Sequence, residues 1–266
     1  MGEALLSGLL RAGRPAADIL VTTRRPERAD TLTHRYAVRA VTNAEAAAEA
    51  GTLVLAVKPQ DMSALLDELA DAVEPQTLVV SMAAGIPTAA IERRLAAGVP
   101  VVRVMSNTPV LVDEAMSVLS AGAHAGPEHL EQAEALLSPV GKVLRVPESQ
   151  QDAVTALSGS GPAYFFFLVE AMIDAGILLG LPRTVAVDLL VQTAVGAAVM
   201  LRDTGDHPVT LRENVTSPGG TTINAIRELE RHGVRAALIA AIEAAHDRSR
   251  ELAAESAAQE AGRPQR

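Results

Sequence analysis

The chain is expected to fold as an α/β domain built on a parallel sheet, followed by an all-helical domain. Three observations predict this. Up to about residue 146, short apolar runs such as Leu53-Val54-Leu55-Ala56-Val57 alternate with segments of helical periodicity, as expected for strands covered on both faces by helices. From about residue 150 the strand signal vanishes and only helical patterns remain. Finally, 48% of the 266 residues are hydrophobic but only five are aromatic, two Tyr and three Phe. A core of Ala, Leu, Val and Ile suits close-packed helices and parallel strands better than an aromatic-rich sandwich.

In chain order, residues 3–12 read as a helix stopped near Gly13, and 19–23 as a strand. A helical segment over about 26–35, a short strand at 38–41 and an alanine-rich helix at 43–50 follow, then the apolar strand 53–57 ending in Lys58-Pro59. Further strands are predicted at 77–83, 100–105, 115–119 and 142–146, with helices at 61–72, 88–96 and 127–137. The later helices, 161–180, 183–203, 221–231 and 233–254, are separated by Gly-Pro, Leu-Pro, His-Pro and Gly breaks, which interrupt helical hydrogen bonding. This gives a dinucleotide-binding domain over 1–149, a helical domain over 150–254 and a disordered tail over 255–266. The helices 161–180 and 183–203 are apolar around most of their circumference, and Tyr164 to Phe167 occupy four successive positions. Such helices need cover on more than one face, so a homodimer with interleaved helical domains is expected.

Net charge is −9, with no basic cluster. Nucleic acid and anionic membrane are therefore not the expected partners. Cysteine is absent, which excludes disulfides, thiol catalysis and Cys-ligated metals. The opening Met-Gly-Glu-Ala lacks the basic region of a signal peptide. The apolar stretches 163–181 and 185–201 contain Glu170, Asp174 and Asp188, so neither is read as a bilayer span. A soluble cytoplasmic protein is expected. The six histidines show no i, i+4 pair and no attendant carboxylates, so neither a metal site nor a hydrolytic triad is predicted.

Residues 214–224, Asn-Val-Thr-Ser-Pro-Gly-Gly-Thr-Thr-Ile-Asn, are the most informative segment. Pro218 fixes φ, Gly219 and Gly220 admit unusual backbone conformations, and Thr221 and Thr222 open an amphipathic helix. A helix start presents free N–H groups and partial positive charge, which suit a carboxylate. Three strand ends carry complementary features. Thr22-Thr23-Arg24-Arg25 follows the first visible strand, where hydroxyls and arginines fit a ribose 2′-phosphate and favour NADP over NAD. Ala56, Val57, Lys58 and Pro59 end the next. Lys58 is one of two lysines among 23 basic residues, and its ammonium can reach a ribose hydroxyl or nicotinamide amide. Ala83, Ala84 and Gly85 carry little bulk, so a dinucleotide can lie close to their backbone. Leu157 to Tyr164 is glycine-rich but lacks the order of a nucleoside triphosphate loop; Ser158 and Ser160 are read as helix caps there.

Four motifs, Ala-Val-Lys-Pro at 56–59, Ser-Asn-Thr-Pro at 106–109, Leu-Ser-Gly-Ser-Gly-Pro-Ala-Tyr at 157–164 and Asn-Val-Thr-Ser-Pro-Gly-Gly-Thr-Thr at 214–222, together resemble pyrroline-5-carboxylate reductase. The resemblance runs from Met1 to about Leu252. It implies a Rossmann domain joined to a helical dimerisation domain, with dimers assembling into larger rings, and reduction of 1-pyrroline-5-carboxylate to L-proline by NADPH or, alternatively, NADH. It implies that Val215, Ser217, Gly220, Thr221 and Thr222 bind substrate, with Thr222 at the ring nitrogen. It further implies cofactor contacts from Gly2, Asn43, Glu148 and Asn214. The family's first strand and glycine-rich turn precede the residue matched by Gly2, so the sequence as it stands is expected to lack a central strand and to bind cofactor poorly. Two other readings follow from the residues: a catalytically impaired cofactor-binding homodimer, and a β-hydroxyacid-type dehydrogenase. The second is disfavoured because no lysine occurs after Lys142.

Overall fold

A computed structural model describes residues 1–261. It divides into two compact units, residues 1–160 with the chain from Ala245 onward, and residues 161–244.

The first unit is α/β. Its elements in order are α1 (Gly2–Arg11), β1 (Leu20–Val21), α2 (Pro26–Tyr36), β2 (Arg39–Ala40), α3 (Asn43–Glu49), β3 (Thr52–Leu55), α4 (Pro59–Leu69) and β4 (Leu78–Ser81). There follow α5 (Thr88–Glu92), β5 (Val101–Met105), β6 (Ala115–Ala121), α6 (Pro127–Leu137), β7 (Gly141–Arg145) and the short α7 (Gln151–Val154). The five-stranded sheet runs in the order β3-β4-β5-β6-β7, while β1 and β2 form a separate two-stranded parallel ladder.

Alternation along the central strands explains their continuous apolar sequence. Leu78 and Val80 of β4 join Val102 and Val104 of β5 in a core with α1 and α6, through Leu5, Leu9, Ala133 and Leu137. Val79 and Val101 point the other way and pack with Met62, Leu66, Ala90 and Ile91 of α4 and α5. Both faces are covered, so neither needs polar residues.

One strand departs from the all-parallel expectation. β3, β4 and β5 pair in parallel, and so do β6 and β7, but β6 runs antiparallel to β5. The β5–β6 connection is only residues 106–114, including a tight helical turn at Thr108–Val112. A parallel return needs a dozen or more residues, so the short link forces the reversal.

Gly141 opens β7 at φ +148°, and a Cβ there would lie 2.1 Å from the carbonyl oxygen of Ala115, its partner in the β6–β7 register. The clash is with backbone and cannot be relieved by a rotamer change. Gly141→Ala is expected to destabilise by about 3 kcal/mol from combined strain and overpacking, read as a lower urea midpoint.

The start of α1 is tied to α2 through Glu3. Arg28 donates to its carboxylate, as do Tyr36 at 3.0 Å and Arg35 at 3.3 Å. Partial burial pushes the Glu3 carboxyl up; hydrogen bonds from Arg28 and Tyr36 and the charges of Arg28 and Arg35 more than reverse this, leaving it below its ordinary 4.5. A carboxyl lowered in the folded state stabilises above its unfolded pKa and loses that contribution as pH falls through the folded value. Glu3→Gln is therefore expected to lower the melting temperature at pH 7, with the gap to the parent closing as pH drops below about 4.5.

The second unit is helical: α8 (Gly161–Leu178), α9 (Arg183–Asp203), α10 (Pro208–Asn214), α11 (Thr221–Arg231) and the start of α12 (Val234–Ala261). α10 differs from the expected His-Pro break: its seven residues are helical, and Pro208 stands at the first position, where a missing N–H costs nothing. α12 runs through Ala261, and residues 262–266 of the expected tail lie outside the described residues. In the chain taken alone, Phe165, Phe166 and Phe167 of α8 are 69%, 68% and 70% exposed. The helical run Glu148–Leu178 and α9 are long and apolar enough to cross a membrane by length and composition, so Glu170, Asp174 and Asp188 do not exclude a span as expected.

Candidate active site

In the α/β unit, Gly2 lies beside the end of β3, and residues 23–25, 56–59 and 83–85 follow β1, β3 and β4. Gly2 begins α1, and a Cβ on it would meet the Ala56 Cβ at 3.0 Å. The first turn of α1 thus lies against the end of β3. β3 ends at Leu55, short of the expected Val57; Lys58 precedes α4 and Pro59 occupies its first position, so the Lys-Pro pair starts the helix. Ala56, Lys58 and Pro59 are exposed and Val57 is half-buried. Thr23, Arg24 and Arg25 are exposed beyond β1. Arg24 donates through both terminal nitrogens to Asp61 of α4, at 2.8 Å and 2.8 Å. Beyond β4, Gly85 has φ +73° and its Cα faces Leu252 and Ala253 of α12. Ala83 is buried and Ala84 exposed.

Two further candidates are engaged in protein contacts. Asn43 opens α3, where Thr42 and Glu45 form a reciprocal capping box, and its amide donates to Glu68 at 2.6 Å. The Glu148 carboxylate accepts from the Thr88 backbone N–H at 2.8 Å, the Thr88 hydroxyl at 2.7 Å and Arg103 at 3.2 Å. Arg103 is only 5% exposed, so Glu148 neutralises a buried guanidinium, a pair costly to break from one side.

The motif at 106–109 meets the one at 157–164. Asn107 is buried; its carbonyl accepts from Met116 N–H at 2.9 Å and its amide donates to the Ser158 carbonyl at 3.2 Å. Residues 155–159 form a wide turn closed by Ser160 N–H donating to Thr155 carbonyl at 2.9 Å. Ser158 therefore lies within this turn rather than capping the following helix, which starts at Gly161. Five-residue hydrogen-bond spacing is rare and leaves no mark in hydrophobic periodicity.

In the helical unit, Asn214 ends α10 and Val215 follows it, 63% exposed. Ser217 to Gly220 form a turn closed by Gly220 N–H donating to the Ser217 carbonyl at 3.1 Å. Pro218 is second in this turn and Gly219, third, has φ +66°, the pattern of a type II turn. Gly220 has φ −77°, open to any residue. The special conformation thus belongs to Gly219 alone; what Gly220 avoids is a Cβ 2.3 Å from the Ser217 hydroxyl. Gly220 is the N-cap of α11, with no side-chain cap hydrogen bond, and Asn224 donates to its carbonyl at 2.9 Å. Thr221 is exposed and Thr222 half-buried in the first turn. This is a rigid, positively polarised helix end with two hydroxyls at its mouth. Beside it, Arg212, Thr216, Ile223, Glu230 and Arg235 line an open groove of about 260 Å³. Arg235 donates to Glu230 at 2.6 Å, lowering the Glu230 carboxyl and raising the Arg235 guanidinium.

Residues 148–252 match the family model described as pyrroline-5-carboxylate reductase dimerisation, and residues 1–85 match that described as NADP oxidoreductase, coenzyme F420-dependent. Together with the fold, these matches define an NADP-type oxidoreductase that forms a homo-oligomer through its helices and acts on a small molecule. The chain is 50% identical over 256 residues to a pyrroline-5-carboxylate reductase of Corynebacterium melassecola, covering 95% of each. It is 46% identical over 275 residues to one from Mycobacterium tuberculosis, covering 95% of this chain and 93% of that one. A solved pyrroline-5-carboxylate reductase from Coxiella burnetii superposes with a TM-score of 0.89 at 37% identity, covering 94% of both chains. One from Plasmodium falciparum with NADP bound gives 0.85 at 26% identity, covering 95% of this chain and 94% of that one. The chain belongs to the pyrroline-5-carboxylate reductase family. Its apolar helices α8 and α9 lie inside the dimerisation match.

Proposed function

We propose that this chain reduces 1-pyrroline-5-carboxylate to L-proline, the last step of proline biosynthesis. NADPH, when bound, supplies a hydride to the imine carbon. The observation that carries the reading is the uncapped start of α11 behind the Ser217–Gly220 turn. The N–H groups of Gly220, Thr221 and Thr222 hold the substrate carboxylate, with Val215 and Ser217 shaping the turn around it. The Thr222 hydroxyl hydrogen-bonds the ring nitrogen and stabilises it as the amine forms. Threonine is a weak acid, so the nitrogen takes its proton from water or arrives already protonated. Much of the acceleration comes from holding the reacting carbons in register.

Residues 1–149 serve as the cofactor domain and 150–254 as the dimerisation and substrate domain. Thr23, Arg24 and Arg25 receive the 2′-phosphate. Gly2, with Ala56 against it, and Ala83, Ala84 and Gly85 leave room for the dinucleotide backbone; Lys58 with Val57 and Pro59 reaches the ribose or carboxamide. Asn43, Glu148 and Asn214 complete the set, supported by the resemblance in position alone. NADH is a second candidate donor, dimers assemble into a larger ring as the resemblance implies, and the protein works in the cytoplasm. The test is NADPH oxidation dependent on 1-pyrroline-5-carboxylate, with L-proline identified as product. Absence of proline under saturating cofactor would refute the proposal.

A further inference from the structure

The arginine-and-hydroxyl pattern at 22–25 favours a 2′-phosphate, yet Arg24 is not alone in the fold. Both of its terminal nitrogens donate to the two oxygens of Asp61, at 2.8 Å each. Arg24 follows β1, and Asp61 lies in the first turn of α4 beyond β3. The pair therefore joins two carboxyl strand ends of the α/β unit, the edge on which an open sheet takes a dinucleotide. The Arg24 side chain is 79% exposed and that of Asp61 24%, so the guanidinium stays open to a ligand while the carboxylate is set behind it. An exposed pair of this kind is readily exchanged.

We propose that Asp61 is a specificity-determining residue, sharing Arg24 with the cofactor ribose and moderating the preference for a 2′-phosphate over a 2′-hydroxyl. A phosphate must draw Arg24 from Asp61 and then lie near an uncompensated carboxylate, which opposes it. A free 2′-hydroxyl donates to a carboxylate, the role an acidic residue plays in NAD sites. One ion pair thus serves both ligands: Arg24 recognises phosphate and Asp61 recognises hydroxyl. The inference rests on the cofactor placement proposed above. It goes beyond that placement by assigning a role to Asp61, whose partner lies 37 positions away in the chain.

The experiment uses the full-length oligomeric enzyme with Asp61→Asn, and Asp61→Ser as a second variant. The ratio of kcat/KM for NADPH to that for NADH is measured, together with binding of adenosine 2′,5′-bisphosphate and 5′-AMP. Loss of the carboxylate is expected to raise the ratio on the order of tenfold, the scale of one charged hydrogen bond, and to tighten the bisphosphate relative to 5′-AMP. Arg24→Met is expected to move both quantities the other way. An unchanged ratio, or a loss of NADPH preference in Asp61→Asn, overturns the proposal; the loss would mean that Asp61 merely braces Arg24 for phosphate. A parent enzyme that binds neither nucleotide overturns the proposal and the cofactor placement together. Parent discrimination that Asp61→Asn leaves intact overturns only the role of Asp61.

Discussion

Thr222→Ala is expected to lower kcat by about a hundredfold or more, the loss typical of removing one donor from a preorganised site, while NADPH affinity stays unchanged. Thr222 is the second residue of α11 and half-buried. The substitution leaves the Ser217–Gly220 turn and the helix-start N–H groups in place, so carboxylate binding persists. What disappears is the hydroxyl at the ring nitrogen, whose hydrogen bond strengthens as hydride arrives at the neighbouring carbon. The effect should therefore fall on kcat more than on KM. Thr222→Ser, which keeps the hydroxyl, is expected to recover most of the rate. Steady-state kinetics with separate cofactor titrations give the answer, and unchanged turnover in Thr222→Ala removes this residue from the mechanism.

Phe166→Glu is expected to abolish the dimer at micromolar concentration and activity with it. Phe165, Phe166 and Phe167 point to successive sides of α8, and each is about two-thirds exposed or more in the isolated chain. The segment matching the dimerisation family, residues 148–252, contains them all. A glutamate here either forces a carboxylate into an apolar interface, at a cost of several kcal/mol, or holds the helices apart. Sedimentation should show monomer or aggregate in place of the parent species. A fully active dimer would mean that Phe166 is not covered on assembly.

Much of this fold was legible because strand and helix periodicities differ and the chain keeps them separate. The run Leu53–Val57 and the turn Ser217–Gly220 declare themselves through apolar continuity and through Pro218 with Gly219. The β5–β6 reversal was hidden because strand direction depends on the length of residues 106–114, not on the strands. The wide turn at 155–159 and the short α10 were hidden because local hydrogen-bond spacing leaves no periodic trace. Long-range partners were the least visible part of the site. Glu148 looks like a surface acid until Arg103 and Thr88 are brought to it, and Arg24 looks like a free cation until Asp61 is.

The most direct measurement is a crystal structure of the assembled enzyme with NADP and L-proline. The account places the proline carboxylate on the backbone N–H groups at the start of α11 and its ring nitrogen at the Thr222 hydroxyl. The ring carbon beside that nitrogen should then face the nicotinamide. Proline seated elsewhere, with the Ser217–Gly220 turn remote from the nicotinamide, would contradict it.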